Sequence, residues 1–358
     1  MERELYRVAC EALDRIPMHR KSGQTYSDHD VVRVLLWTAC HDRPVCWACQ
    51  LNNWPLWRRR TKLISQSQMS RRLRTVPAHQ LLTQLGSDLR DRLPQGLIKY
   101  LDAKPLPVGG ASKDRDAKFG RGAAGVQRGY KVTTAVDQYG CIEAWQLGPM
   151  NLPEHQQAEI LLERMPWGLY VVGDNAYDKT HLYQQADARG MCLIGAFKTH
   201  AKAPGHRRQS PQRQHSLDLQ RRPFGQDLLR MRWGIERSYG QMCSFAGGLA
   251  PLPAWVRTPH RVAVWFAAKL ILDLPRRKRR AGRSCRDRNP DAVPARGPWL
   301  HANSRRPRRP LHEGRFLTAN PPARYHACPA AMVQAGSSWC VIGALRTMAA
   351  HDPAWSLR

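Results

Sequence analysis

Two short runs, "GLYVVGD" and "MCLIGAF", constrain the fold of this chain most strongly. Each is continuously apolar rather than alternating, and each lies beside a turn signal. Runs of that kind predict strands buried on both faces of a sheet. Between them, "DKTHLYQQADARG" has helical spacing, and Gly190 is placed to end the helix. The first run closes on an acid, Asp174, in a chain with formal net charge +29. A carboxylate at the mouth of a core strand in so basic a protein calls for a chemical reason.

The remaining elements follow from Pro94 onward. "GLIKYLDAKPLPV" predicts a short strand with Asp102 near its end. "YKVTTAVDQYG" and "CIEAWQLGPM" predict two strands joined at a turn holding Asp137 and Gly140, a hairpin signal. "LPEHQQAEILLERM" predicts a helix with Pro153 and Glu154 in its first turn. "FGQDLLRMRWGIERSYGQMCSFAGGL" and "HRVAVWFAAKLILDL" predict later helices. The order is strand, hairpin, helix, strand, helix, strand, then helices. It predicts an α/β fold, a ribonuclease-H-like mixed sheet flanked by helices. The basic stretch 198–223 reads as a loop that touches DNA phosphate, or as a plain surface loop. Trp145, Trp167 and Trp233 read as packing residues, with stacking on an extruded base as the functional alternative.

Residues 1–94 predict an all-helical domain. "SDHDVVRVLLWTACH" offers Ser27 as an N-cap, and "SQSQMSRRLRTV" offers Ser65 or Ser67. Arg71, Arg72 and Arg74 on the latter are expected to contact DNA in a helix-turn-helix-like module. The bland alternative is a helical bundle with a solvated basic face. Lys and Arg number 57 against 28 Asp and Glu, so the expected partner is a polyanion, most simply nucleic acid. No apolar run reaches the ~18 residues that span a bilayer, and the charged N-terminus lacks a signal-peptide core. The expectation is a cytoplasmic, nucleoid-associated protein with no membrane partner. Its ten cysteines are then thiols. The "CWAC" pair, Cys46 and Cys49, lacks a second pair at zinc spacing and reads as buried helix cysteines. Residues 95–275 form the expected catalytic domain. Residues 276–358 are rich in Arg and Pro and predict a disordered basic C-terminal tail.

Three acids stand at suggestive points: Asp102 on the first strand, Asp174 at a strand end, and Glu236 on a late helix. Two strand-end carboxylates and one from a helix laid across them form an oxygen cage suited to Mg²⁺ or Mn²⁺. Ions held there activate an attacking oxygen and stabilise a leaving one in an in-line displacement. Each acid has an ordinary alternative. Asp174 can cap the next turn, Asp102 can be a plain strand acid, and Glu236 can pair with Arg232 one turn away. Asp114, Asp116, Asp137 and Glu143 compete for the same role, and composition does not separate them.

The pieces "LDAKPLPVGGASKDRDAKFGRG", "RGYKVTTAVDQYG", "VVGDNAYD" and "RWGIERSYGQM", in that order, resemble bacterial insertion-sequence transposases of the DDE type. The branch they resemble carries a Tyr-Arg-Glu-Lys signature, and "SQSQMSRRLR" resembles its helical N-terminal region. The resemblance covers roughly residues 25–275. It implies that Asp102, Asp174 and Glu236 form a metal-binding acidic triad with Arg232 as the signature arginine. Leu229 stands where the tyrosine belongs and Cys243 where the lysine belongs, so Arg237 or Gln241 is left to make the lysine's DNA contact. The implied activity is cut-and-paste transposition by a homodimer on double-stranded DNA. The partners would be terminal inverted repeats and target DNA. A catalytically decayed DNA-binding relic and a nuclease of related fold are the rival readings.

Overall fold

The computed structural model describes residues 2–18, 22–55, 62–122, 124–197, 209–232, 234–243 and 248–286. Five helices come first: α1 (Glu2–Asp14), α2 (Asp28–His41), α3 (Val45–Ala48), α4 (Gln66–Arg72) and α5 (Val76–Arg90). Two of them start where the sequence indicates. The Ser27 side chain accepts from the Asp30 amide while Asp30 accepts from the Ser27 amide, a capping box that fixes the start of α2. Ser65 and Gln68 do the same for α4. Val31, Leu35, Leu36 and Trp37 of α2 are buried against Leu82, Leu85 and Leu89 of α5 in one core cluster.

The sheet follows: β1 (Ile98–Pro107), β2 (Lys118–Gly122), β3 (Gly125–Asp137), β4 (Ile142–Pro149), β5 (Tyr170–Gly173) and β6 (Cys192–Gly195). β3 runs antiparallel to β1 on one side, and β2 and β4 pair with successive stretches of it. β1, β5 and β6 are parallel. The order β3-β1-β5-β6, with β4 beyond β3, is that of a ribonuclease-H-like mixed sheet. Helix α6 (Glu154–Arg164) and helix α7 (Thr180–Ala188) pack on one face with Leu101, Val171 and Leu193. Helix α10 (Gly234–Cys243) and helix α11 (Pro259–Arg286) cover the other face, with Tyr100, Val172 and Ile194. Helices α8 (Pro211–Arg221) and α9 (Pro223–Met231) lie between β6 and α10 in the chain.

Helix α11 explains why "HRVAVWFAAKLILDL" is apolar all round. Val264, Ala268, Ile271 and Leu272 belong to the core of the N-terminal helices. Val262, Ala263, Phe266 and Leu270 belong to the core over the sheet. A helix shared by two cores is buried nearly all round, and its buried charges are paired, Lys269 with Asp42 at 3.7 Å and Asp273 with Arg276 and Arg277. A buried ionic cluster adds a second tie. Arg90, at the end of α5, pairs with Glu143 and lies 3.5 Å from Asp137, and Glu143 also pairs with Lys99. Burial is the largest influence on Lys99 and pulls its pKa down to about 8.

The structure departs from the sequence reading at several points. β1 runs on to Pro107, so Asp102 lies in mid-strand rather than near its end. β2, made of "KFGRG", carries no apolar alternation and was not anticipated. The stretch 198–223 is not all loop. Ser210 caps α8 by accepting from the Arg213 amide at 3.3 Å, and Arg213 is itself buried by its pairing with Asp178 at 2.7 Å. Residues 198–208 lie outside the described residues. Helix α11 continues past Pro275 into the segment read as a tail, where Asp273 holds Arg276 and Arg277 at i+3 and i+4. Residues 287–358 lie outside the described residues. Cys46 is exposed and Cys49 half-buried, not the buried pair expected. Trp145 packs on Phe266 at 5.0 Å, whereas Trp167 is 51% exposed; Trp233 lies outside the described residues. Among the described residues no helix is long and apolar enough to cross a membrane.

The ionic cluster gives a stability test. Arg90→Met leaves Glu143 and Asp137 buried with Lys99 as the remaining cation, and should cost about 3–5 kcal/mol in urea unfolding. A change below ~1 kcal/mol would show that the cluster does not hold α5 to the sheet.

Candidate active site

The register of two parallel strands builds the site. Lys99 aligns with Val171 and Tyr100 with Val172. Asp102 lies two residues past Tyr100 on β1, and Asp174, two past Val172, is the first residue after β5; the Asp174 charge reaches the Asp102 carboxyl. Alternation puts Asp102 on the face of Tyr100, since Tyr100 and Val172 share the core beneath α10 and α11 while Leu101 and Val171 share the opposite one. β5 ends at Gly173, whereas β1 continues against β3 as far as Pro107↔Gly129. Beyond Tyr100↔Val172, the flank of β1 has no β5 partner, and Asp102 and Lys104 lie beside that notch. Both aspartates are half-buried.

Helix α10 is fastened across this place by Tyr239. Its hydroxyl donates to the Asp102 carbonyl at 3.2 Å and shares a hydrogen bond with Thr134, the cross-strand partner of Asp102, at 2.7 Å. Ile235, Tyr239 and Met242 form the buried stripe of the helix. Arg232, between α9 and α10, brings Nη1 to 3.9 Å from Asp102 Oδ1. Lys104 Nζ lies 5.9 Å from the Tyr239 ring centre. Burial pushes the Asp102 carboxyl up to about 6, with Asp174 and Glu154 adding repulsion and Arg232 opposing it.

Asp174 also caps the turn Asn175–Tyr177, accepting from the Ala176 amide at 2.8 Å. The capping role expected as the ordinary alternative is therefore the one the side chain's hydrogen bond fills. Tyr177, in that turn, is fully buried, and its hydroxyl has no hydrogen-bond partner among the described residues. Burial above all, with the nearby carboxylates of Glu154, Asp102 and Asp174 adding to it, pushes its pKa well above that of a free tyrosine.

Glu236 is placed differently. It lies one turn before Tyr239 on the flank of the buried stripe, exposed, and forms no ion pair among the described residues. Arg232 faces Asp102 rather than Glu236, so the i to i+4 pairing expected as an alternative does not form. Among the described residues, no three His, Cys, Asp or Glu side chains stand close enough together to hold a metal ion. The two carboxylates fit a hard divalent cation by donor type. The three-carboxylate cage expected from the sequence is not closed around them.

The competing acids have structural partners. Asp137 and Glu143 belong to the buried ionic cluster. Asp114 accepts from the Tyr130 hydroxyl and from the Thr258 amide, each at 2.8 Å. Asp116 is exposed on the loop before β2. Glu154, read from the sequence as a helix-dipole acid only, stands close enough to Asp102 to raise its pKa while pairing with Lys131 at 3.1 Å. Its placement on the first turn after the β3–β4 hairpin was the available signal. Arg72 is engaged within the protein, donating to Asp28 at 2.7 Å and to the Tyr26 carbonyl at 2.9 Å. Arg71, Arg74 and Arg237 are exposed. Leu229 packs against the core over the sheet.

A pH test follows from the raised Asp102 carboxyl. Folding disfavours its ionised form, so the folded state loses stability as pH rises from about 4 through about 6. In chelator-treated protein, Asp102→Asn should therefore raise stability by about 2–3 kcal/mol at neutral pH. It should make almost no difference below pH ~4, where the carboxyl is protonated in both states. Equal destabilisation at both pH values would contradict the assignment.

No curated protein gives a significant match to the chain. Residues 94–261 match the family model described as a transposase DDE domain. That span contains β1 to β6 with Asp102, Asp174, Arg232 and Glu236, so the similarity to a DDE-type transposase domain falls on the sheet and the candidate residues.

Proposed function

We propose that this protein cuts phosphodiester bonds at the ends of an insertion sequence and joins the freed ends to target DNA. The observation that supports the reading is that Asp102 on β1 and Asp174 just past the end of β5 each follow the paired residues Tyr100 and Val172 by two, close enough for one carboxylate to act on the other, within the span matched to the transposase domain. In the first step, water oxygen bonds to phosphorus, and the bond to the 3′ oxygen breaks. In the second, that 3′ oxygen attacks a target phosphodiester and displaces its own leaving oxygen. Both are in-line substitutions at phosphorus, so one site serves both.

Asp102 and Asp174 are the residues that would hold Mg²⁺ or Mn²⁺, with Glu236 the third donor once DNA draws the flank of α10 inward. A divalent ion there supplies charge stabilisation to the attacking and leaving oxygens. The chain's own part is positioning. Tyr239 fixes α10 against β1, and Arg232 offers a guanidinium beside Asp102 to orient a phosphate oxygen. The helical region 1–94 would recognise terminal inverted repeats through Arg71 and Arg74, with Arg237 contributing near the catalytic face. Arg72, tied to Asp28 and Tyr26, serves that surface by holding α4 in place. Two ends must be joined, so the working form is a homodimer on double-stranded DNA.

A second reading is a relic that binds DNA without cutting it. The exposed, separate position of Glu236 and the core-packed Leu229 at the signature tyrosine position favour it.

The test uses a plasmid carrying the DNA that flanks this coding sequence. The unmutated chain should cut it in the presence of Mg²⁺ or Mn²⁺. Asp174→Asn should lower the rate by at least ~10³-fold while leaving DNA affinity within about twofold. Binding without cutting by the unmutated chain would establish the relic reading instead.

A further inference from the structure

β2 and the first residues of β3 leave the body of the sheet as a two-stranded ribbon. β1 stops pairing with β3 at Pro107↔Gly129, while β2 continues from Lys118↔Gly129 to Gly122↔Gly125. Residues directly opposite each other in an antiparallel pair point to the same side. One face of the ribbon therefore carries Phe119, Arg121 and Val126, with Arg128 at its base. The opposite face is largely glycine and is close-packed at its root. A Cβ on Gly120 would lie 2.4 Å from the Met150 carbonyl oxygen, and one on Gly129 2.4 Å from that of Leu106.

Two large apolar side chains on the first face are open to solvent: Phe119 is 66% exposed and Val126 78%. Arg128 anchors the ribbon root, donating from Nε to the Ala117 carbonyl and from Nη1 to that of Ser112, each at 2.9 Å. Lys113, Arg115 and Arg121 are exposed around it, and Lys118 is exposed at the edge of the glycine face, its Nζ donating to the Arg115 carbonyl at 3.1 Å. The nearby acids are Asp114, buried and hydrogen-bonded, and Asp116. An exposed apolar pair ringed by cations suits a polyanion with an apolar floor. It does not suit a second copy of a chain with formal net charge +29.

We propose that this ribbon is a second DNA contact, inserted into a groove of the duplex that enters the catalytic notch. A two-stranded ribbon fits the major groove, which is about 12 Å wide. Phe119 and Val126 meet base edges or sugars, and Lys113, Arg115, Lys118 and Arg121 meet the flanking phosphates. The inference rests on the reading that the substrate is DNA, and it adds a surface separate from both the carboxylates and α4.

Fluorescence anisotropy of the full chain with a random-sequence duplex tests it without requiring cleavage. Phe119→Ser with Val126→Ser should weaken binding about 5- to 30-fold, each lost apolar contact being worth roughly tenfold or less. Lys118→Ala with Arg121→Ala should weaken binding and flatten the slope of log affinity against log salt by about 1.8. Thermal melting of each variant within a few degrees of the parent excludes misfolding as the cause. Equal affinity and an unchanged salt slope in both variants, with the unmutated chain binding the duplex, would overturn the ribbon and leave the DNA reading standing. An unmutated chain that fails to bind any duplex would sink that reading, and the ribbon with it. Loss of a DNA-free dimer in the Phe119→Ser, Val126→Ser variant, with duplex affinity intact, would reassign the face to self-association.

Discussion

The parallel pairing of β1 with β5 is the constraint on which the rest of the site depends. It brings the end of β5, with Asp174 just past it, beside the stretch of β1 that carries Asp102, although 71 residues separate the two acids in the chain. A one-residue slip would turn the side chains of one strand to the opposite face. The pairing is buried from both sides, by α6 and α7 on one and by α10 and α11 on the other, so the register is strongly specified. Gly173 then permits the close packing that ends β5, because a Cβ there would meet the Tyr177 ring at 2.6 Å. Asp174 follows at once, its carboxylate fixed by the turn it caps. Burial raises the pKa of Asp102 towards neutrality, and the nearby Asp174 and Glu154 add to the rise while Arg232 opposes it.

The surrounding architecture holds that pair steady. α11 is shared between the helical core and the sheet core, and Arg90 reaches from α5 into the β3–β4 hairpin. Movement of the helical region is thus linked to the strands that carry the site. Tyr239 performs the corresponding task at close range, joining α10 to Thr134 and to the backbone of Asp102. Glu236 sits on the same helix but outside its buried stripe, where nothing among the described residues pins it. A helix anchored by Tyr239 and free on its outer flank can present Glu236 to a bound backbone without disturbing the strands.

Much of this was legible in the sequence because local signals agreed. The continuous apolar runs gave β5 and β6, Gly140 gave the hairpin, and Ser27 and Ser65 gave two helix starts with their reciprocal partners. Asp174 was visible as an acid ending a core strand. What was not legible depended on partners far along the chain. Nothing local distinguishes Glu143 or Asp137, which neutralise Arg90 and Lys99, from acids that could serve chemistry. Arg72 looks like its neighbours Arg71 and Arg74 until Asp28 is brought beside it. β2 is held by its register with β3 and by glycines that let it approach Met150, so no hydrophobic period announces it. Glu154 entered the site because α6 docks over β3, a tertiary fact.

The central claim is that Asp102 and Asp174 act together on one cation. Calorimetric titration of the DNA-free chain with Mn²⁺ tests it most directly, comparing the parent, Asp102→Asn, Asp174→Asn and the double variant. The account predicts that each single change weakens binding at least ~10-fold and that the double change adds little to the weaker single, as expected for one shared site. Parent-like Mn²⁺ affinity in both single variants would contradict it.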